Sequence, residues 1–420
     1  MRPRRSKTRR HRLTLAFVCA LGTSLVVRLQ LAQRQIVHVL AHRHEVPETF
    51  AARIPLETHQ KAADYTAAKV RLGRIQFLLS AGVLLAWTIG GGLEWLDRVW
   101  RGTDTSLLMA GLFFTLSAFG INALLALPFS IYRQFRLEER FGFNRTTARL
   151  FCVDLFKQVL LAAVLGGGLI LGVLFLMWES GSLWWFWVWA LVTGVALVFV
   201  WIFPTLLLPL FYKLTPLSEG TLKERLARLL ERVKFPYRGL FVMDGSRRST
   251  HSNAFFAGLG SSRRIVLYDT LVDAMEPPEV EAVLAHELGH AKLRHILKMT
   301  LLSMAQNLAG LALLGFLAKQ VWFYEGLGMT RPSPHAALLL FLWVSPVFLF
   351  LAHPLSSWLE RRYEFQADDF GAEHSEKGSL ASALMRLYEH NATTLTPDPL
   401  YSAFYDSHPP AAIRVGRLAS

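Results

Sequence analysis

Residues Phe156–Trp178 read FKQVLLAAVLGGGLILGVLFLMW, and one charged side chain, Lys157, interrupts them. A hydrocarbon core about 30 Å thick takes about 20 apolar helical residues to cross, so this stretch reads as a membrane span. Working outward, blocks of the same kind stand at 13–33, 74–96, 106–132, 182–212, 297–323 and 335–355, which makes seven spans in all. Over its 420 residues the chain is 52% hydrophobic and only 18% charged, where a soluble domain carries about 25% charged residues. That excludes a soluble enzyme, a disordered chain and a disulfide scaffold. The only two cysteines, Cys19 and Cys152, offer neither a thiolate metal site nor a disulfide framework.

The block 13–33 is the least span-like. Its apolar run stops at Arg28 and follows the basic residues Arg2–Arg12, as in a signal peptide. No small-x-small cleavage site follows, so a retained span is the better reading. Gly90-Gly91-Gly92 and Gly166-Gly167-Gly168 fall within blocks and are expected to let helices pack closely. Pro128, Pro204 and Pro209 should kink or end their helices. The chain has 45 Lys+Arg against 31 Asp+Glu, a net charge of +14. Much of this charge flanks apolar blocks, at Arg2–Arg12 and Arg133–Lys157, as in loops that stay in the cytoplasm. No basic face with interleaved aromatics is present, so no nucleic-acid partner is expected.

Two stretches are too polar for hydrocarbon. Residues 34–73 read as a polar loop, and 213–296 as the largest extramembrane block. In the latter, Thr221 and Glu224 fit a capping box, with Leu222, Leu226, Leu229, Leu230 and Val233 continuing at helical spacing. Short apolar runs follow at Gly239–Met243, Ala254–Ala257 and Ile265–Tyr268. Gly258-Leu259-Gly260-Ser261-Ser262 separates the last two, which predicts a hairpin in a small sheet. Pro277 and Pro278 then suit the start of a helix over Glu279–Lys298.

That helix carries His286-Glu287-Leu288-Gly289-His290. Positions i and i+4 share a helix face, so two imidazoles can converge on one metal ion. Glu287 projects near the open coordination position, where it can take a proton from water. Neutral nitrogen donors plus one oxygen suit zinc. Further on, Glu364 and Asp368 again lie one turn apart. One of these carboxylates can ligate the metal, and the other can accept the free N–H of a ligating histidine. His295 falls off the metal face of a continuous helix and reads as a helix-end cation. His353 is left without a role.

With these motifs in hand, the chain resembles the CAAX prenyl protease 1 family, integral-membrane zinc metallopeptidases of the gluzincin type. The likeness runs from Leu56-Glu57-Thr58-His59-Gln60-Lys61 to His408-Pro409-Pro410. It takes in His251-Ser252-Asn253-Ala254, Arg264–Leu271, His286–His290 and Glu364–Asp368. The resemblance implies that His286, His290 and Glu364 bind one Zn2+ per chain, that Glu287 is the general base and that Asp368 supports the ligands. It places Asn253 and Ala254 on an edge strand that holds a peptide substrate. It makes His408 the group that steadies the oxyanion and Arg414 a neighbouring, substrate-side basic residue. Ile413 stands where the family often has Glu, which leaves no Glu–Arg pair there. The resemblance also implies a mainly α, multi-pass fold: about seven transmembrane helices enclosing a chamber, with a small α+β zinc-protease domain.

The expected division is an N-terminal membrane region, 1–212, with five spans and the polar loop 34–73, and a metallopeptidase domain, 213–420. The latter comprises the edge strand and zinc helix within 213–296, the spans 297–323 and 335–355, and the ligand helix and tail 356–420. The expected activity is hydrolysis of peptide bonds in peptides or C-terminal segments of membrane-associated proteins held at a lipid bilayer. CAAX-type processing of prenylated proteins and membrane-protein quality control are both allowed. Glu279, Glu281, Lys292, Arg294 and Lys298 are costly in hydrocarbon, which argues against an intramembrane site-2-type protease. A non-catalytic scaffold or transporter retaining a protease fold is the alternative, weakened because no ligand or base is missing. Positive charge places the active site on the cytoplasmic side, against the basic N-terminal tail. The absence of a KDEL-type ending favours a bacterial inner membrane over endoplasmic reticulum.

Overall fold

The computed structural model describes residues 3–258 and 263–419. Among the described residues, seven helical segments are long and apolar enough to cross a membrane: Thr8–Ala41, Leu56–Trp87, Leu107–Glu138, Ala148–Glu179, Gly181–Phe211, His295–Leu317 and Pro334–Glu373. They take the places of the seven apolar blocks. The first belongs to one long helix, Pro3–Ala41, which buries Phe17, Leu31 and Val39. Its Thr14 hydroxyl donates to the Gly326 carbonyl at 2.7 Å, so it packs as an integral part of the bundle.

Residues 34–73 do not form a loop. The first helix runs on to Ala41 and the second begins at Leu56, which leaves only 42–55 as the connection. The polar residues belong to helix extensions that bury Gln35, His59 and Thr66 while Arg34, Glu57, Lys61 and Arg71 stay exposed. His59 and Tyr65 are buried there, and Lys69 and Gly73 line a cavity.

Of the glycine triplets only Gly167 is buried between helices, where a Cβ would lie 3.9 Å from Leu116 of the third span. The second helix stops at Trp87, and Gly91, at φ +78°, turns the chain into the short helix Gly92–Arg101. A Cβ on Gly166 or Gly168 would meet nothing within 4 Å. Pro128 stays inside its helix, while Pro204 sits in the wider, π-helical turn Phe203–Leu207.

Two layers of core result. At the end of the bundle away from the metal donors, Phe17, Trp87, Leu93, Phe114, Trp184 and Leu339 form one cluster. The short helix Gly92–Arg101 is pinned across it, since Glu94 accepts from the Thr330 N–H at 2.8 Å and Asp97 lies 2.7 Å from His335 Nε2.

At the other end sits a sheet of four strands: β1 (Leu214–Pro216), β2 (Gly239–Met243), β3 (Ala254–Ala257) and β4 (Arg264–Tyr268). Their order is β1-β2-β4-β3; β2 and β4 are parallel, and the other pairs antiparallel. The predicted β3–β4 pairing is present, with Ala254 opposite Leu267, while 259–262 of its connector lie outside the described residues. Helix Thr221–Arg232 packs on the sheet through Leu226, Leu229 and Leu230. Its cap is not the predicted box: Gly220 is the N-cap and Thr221 already lies inside the helix. The capping box stands instead at Glu276, just ahead of Pro277, and Glu279 in the first turn.

Candidate active site

The helix Pro277–Lys292 buries Val280, Leu284 and Leu288 against the sheet, which aims the opposite face at the helix His353–Glu373 continuing the seventh span. Gly289 and Gly371 let the two helices nearly touch. A Cβ on Gly289 would lie 3.0 Å from Ala367 Cα, and one on Gly371 would lie 3.1 Å from His286 Cα. At this crossing His286 Nε2 and His290 Nε2 are 3.3 Å apart. Glu364 reaches His290 Nε2 at 3.2 Å and His286 Nε2 at 3.6 Å. One donor atom from each of the three lies within 4.8 Å of the others, and the Glu364 Oε2 atom is buried without a hydrogen-bond partner. Two imidazoles and a carboxylate oxygen that makes no hydrogen bond, with Arg414 Nη2 at 3.5 Å, fit a metal of zinc type.

Behind the donors, Asp368 lies 2.9 Å from His286 Nδ1, the nitrogen away from the metal face. Arg414 grips both Asp368 oxygens, at 2.6 and 2.8 Å, and both side chains are buried. Arg414 comes from the last helix, Ala411–Ala419, after Pro409 and Pro410. Thus it supports a ligand's partner as well as lining the cavity. Ile413 is exposed and makes no such link.

His295 is not a helix-end cation. The helix ends at Lys292, and Arg294 takes a left-handed φ of +57°, so the chain turns and starts a new helix at His295. The buried ring stacks on Tyr363, with Nδ1 at 3.2 Å from His290 Nδ1 and Nε2 at 2.9 Å from Gln366 Oε1. Each imidazole donor therefore has a neighbour on its far nitrogen. His353 Nδ1 meets the Phe404 carbonyl at 2.8 Å and is structural.

A cavity of about 630 Å³ opens over the donors, bordered by His286, Glu287, Asn253, Ala254, His408 and Arg414. It extends to Ala32, Lys69 and Phe77 of the first two spans. Burial pushes the Glu287 carboxyl above the ordinary range, against the pull of His286 and His290. Strand β3 is the sheet edge, where an added strand can pair, although the Ala254 N–H is taken by Asn253 Oδ1 at 2.8 Å. His408 Nε2 lies 3.5 Å from Glu364 Oε1, and its Nδ1 is 3.0 Å from the Ser407 hydroxyl. It lines the cavity, and burial there lowers its pKa against the pull of Glu364. Tyr388, which the sequence reading missed, lines the same cavity with its hydroxyl buried and without a hydrogen-bond partner. From the membrane side, a second hollow of about 600 Å³ reaches His290 and Glu364 between Leu197, Met299 and Met304.

His251 fastens the segment leading into β3. Its ring stacks on Phe143 and lies 3.6 Å from Glu138, which also accepts from the Tyr65 hydroxyl at 2.9 Å.

Residues 35–213 match the family described as CAAX prenyl protease N-terminal, five membrane helices, and residues 216–420 match Peptidase family M48. The chain is 34% identical over 385 residues to a CAAX prenyl protease 1 homolog of Dictyostelium discoideum, covering 88% of each chain. It is 33% identical over 386 residues to one of Arabidopsis thaliana, covering 88% of this chain and 89% of the relative. To one of Homo sapiens it is 30% identical over 436 residues, covering 92% and 90%. The crystal structure of S. mikatae Ste24p superposes with a TM-score of 0.88 at 29% identity, covering 97% of this chain and 98% of that one. Taken with the crossing helices and their donors, these likenesses place the chain in the CAAX prenyl protease 1 family of integral-membrane M48 metalloendopeptidases.

Proposed function

We propose that the chain is a zinc endopeptidase that cleaves C-terminal segments of membrane-associated proteins, CAAX-type prenylated segments among them. The observation that carries this reading is the meeting of two hollows at one donor set. One is bordered by the edge strand β3 and polar side chains, the other largely by apolar residues of the spans. A peptide main chain suits the first and an apolar or lipidated residue the second.

Zinc held by His286, His290 and Glu364 would supply a Lewis acid that polarises the scissile carbonyl. The chain's own groups do the rest. The β3 edge beyond Asn253 and Ala254 holds the substrate extended by main-chain hydrogen bonds. Glu287, its basicity raised by burial, takes the proton of the attacking water and returns it to the leaving amine. His408, with Nδ1 turned to Ser407 and Nε2 on the side of the donors, is placed to donate from Nε2 to the developing oxyanion. Asp368, gripped by Arg414, fixes the tautomer and aim of His286. A scaffold that had lost catalysis would not be expected to keep Glu287 and three donors together.

The site is proposed to face the cytoplasm. Arg133, Arg136, Arg140, Arg145, Arg149 and Lys157 gather at the site-side ends of the third and fourth spans. Across the bundle Arg98 and Arg101 are each paired with an acid. Arg9, Arg10 and Arg12 run against this assignment. The relatives named above are eukaryotic and lend no support to a bacterial inner membrane.

Detergent-purified protein given a quenched peptide with a farnesylated CAAX end, beside its unprenylated twin, tests the reading. Chelator-sensitive cleavage is expected, reduced 10²–10⁴-fold in Glu287→Gln with metal still bound. Full activity in that variant would remove Glu287 from its role. A preference for the farnesylated peptide would identify the lipid as part of the substrate.

A further inference from the structure

Where the fourth span begins and the fifth ends, on the side of the sheet, lies a hollow of about 830 Å³ unrelated to the metal donors. Arg149 and Lys157 of the fourth span, Lys213, the linker residues Arg247 and Arg248, and Arg264 of β4 all line it, and no carboxylate does. Asp154 grips Arg248 at 2.8 and 2.9 Å, and Asp244 takes Arg247 at 3.2 Å. That answers two of the six charges. The other four have no carboxylate partner among the described residues. Arg264 Nη1 donates to the Pro204 carbonyl at 3.1 Å, but its Nε is buried with no acceptor, and so is Arg248 Nη1. Leaving a guanidinium N–H buried and unanswered is costly, and planar N–H pairs are the usual complement of a phosphate.

The surroundings say which phosphate. The hollow sits at the ends of two spans, and below it the fourth span turns Val153, Phe156 and Val159 outward, all strongly exposed. A molecule with an anionic head and acyl tails satisfies both parts, as basic pockets between helix ends do at the cytoplasmic face. We infer that this hollow binds the headgroup phosphate of an anionic phospholipid, with the acyl chains lying along the fourth span. Arg264 stands in β4 opposite Ala257 of β3, and Arg248 lies five residues before Asn253. The bound lipid therefore braces the strand pair that carries the substrate edge.

The full-length protein is reconstituted in phosphatidylcholine vesicles containing one part in ten phosphatidylglycerol and analysed by native mass spectrometry for retained lipid. Phosphatidylglycerol should be retained at least tenfold above its share of the bilayer, and at its bulk share in R149Q/K157Q, two changes at the rim that break no ion pair. R264K keeps the charge but loses the buried Nε–H, and should fall between the two. In pure phosphatidylcholine, 10 mM inorganic phosphate should leave the thermal midpoint unmoved, whereas phosphatidylglycerol raises it. Undiminished phosphatidylglycerol retention in R149Q/K157Q would overturn the site. A midpoint shift reproduced in full by inorganic phosphate would overturn the lipid as its ligand.

Discussion

Arg414 holds Asp368 through two nitrogens on two oxygens, so a positive charge alone cannot replace it. Arg414→Lys and Asp368→Asn should each lower metal affinity by about 10–100-fold, the usual loss when the group behind a metal-binding imidazole goes. Competition with a chromogenic chelator measures this, and wild-type affinity in both variants would mean that Asp368 does not orient His286. His286 and His290 were legible in the sequence because a helix sets them one turn apart, whereas the spacing of Glu364 and Asp368 left open which carboxylate binds, and only the family resemblance assigned Glu364. His295 was not legible. Its assignment presumed an unbroken helix to Lys298, and the break at Leu293-Arg294 carries neither glycine nor proline to announce it. Arg414 was assigned to the substrate side because nothing in a linear reading brings the last helix beneath Asp368.

The helices Pro277–Lys292 and His353–Glu373 can cross closely only because two positions lack a side chain. A methyl group at Gly371 would press on the His286 backbone at 3.1 Å, and any side chain at Gly289 on Ala367. Gly371→Ala should cost about 1–3 kcal/mol, and Gly289→Val more, with the donors spread apart. Thermal midpoint and bound metal per chain report it together; a Gly289→Val protein that melts and binds metal as wild type would show that the helices give way freely. In the sequence Gly289 was only a spacer between ligands, and its packing duty emerges once the partner helix is known.

The same helix is tied at its start by Glu279, which meets Arg53, Ser382 and Arg386. Burial alone would raise this carboxyl, but the Ser382 hydroxyl, the Glu276 N–H and Arg386 outweigh it and hold its pKa below the usual value. A depressed carboxylate stabilises the fold fully above its unfolded pKa, about 4.3, and loses that contribution as pH falls through the lower folded value. Thermal midpoints should therefore drop below about pH 4 more steeply in the wild type than in Glu279→Gln, whose curve is flatter. Parallel curves would remove Glu279 as the source.

At the scale of the whole molecule, the seven spans put Thr103 and Ser218 on opposite sides of the bilayer. With the exposed Cys19 and Cys152 replaced by serine, single cysteines at these two positions should react with an impermeant maleimide from opposite faces of sealed vesicles. Labelling from one face would mean that a span has been miscounted. The number of spans was plain from hydropathy, whereas their ends were not, since the first two helices run on past the apolar blocks into polar extensions only partly buried in protein. The metal donors also straddle these spans, with both histidines before the sixth and Glu364 on the helix His353–Glu373 that ends the seventh. The ribosome thus makes the histidines long before their third partner, and His408 and Arg414 last of all. A nascent chain stalled anywhere before the seventh span has inserted carries no complete cutting centre, so the order of synthesis itself keeps the half-made enzyme harmless to the insertion machinery around it.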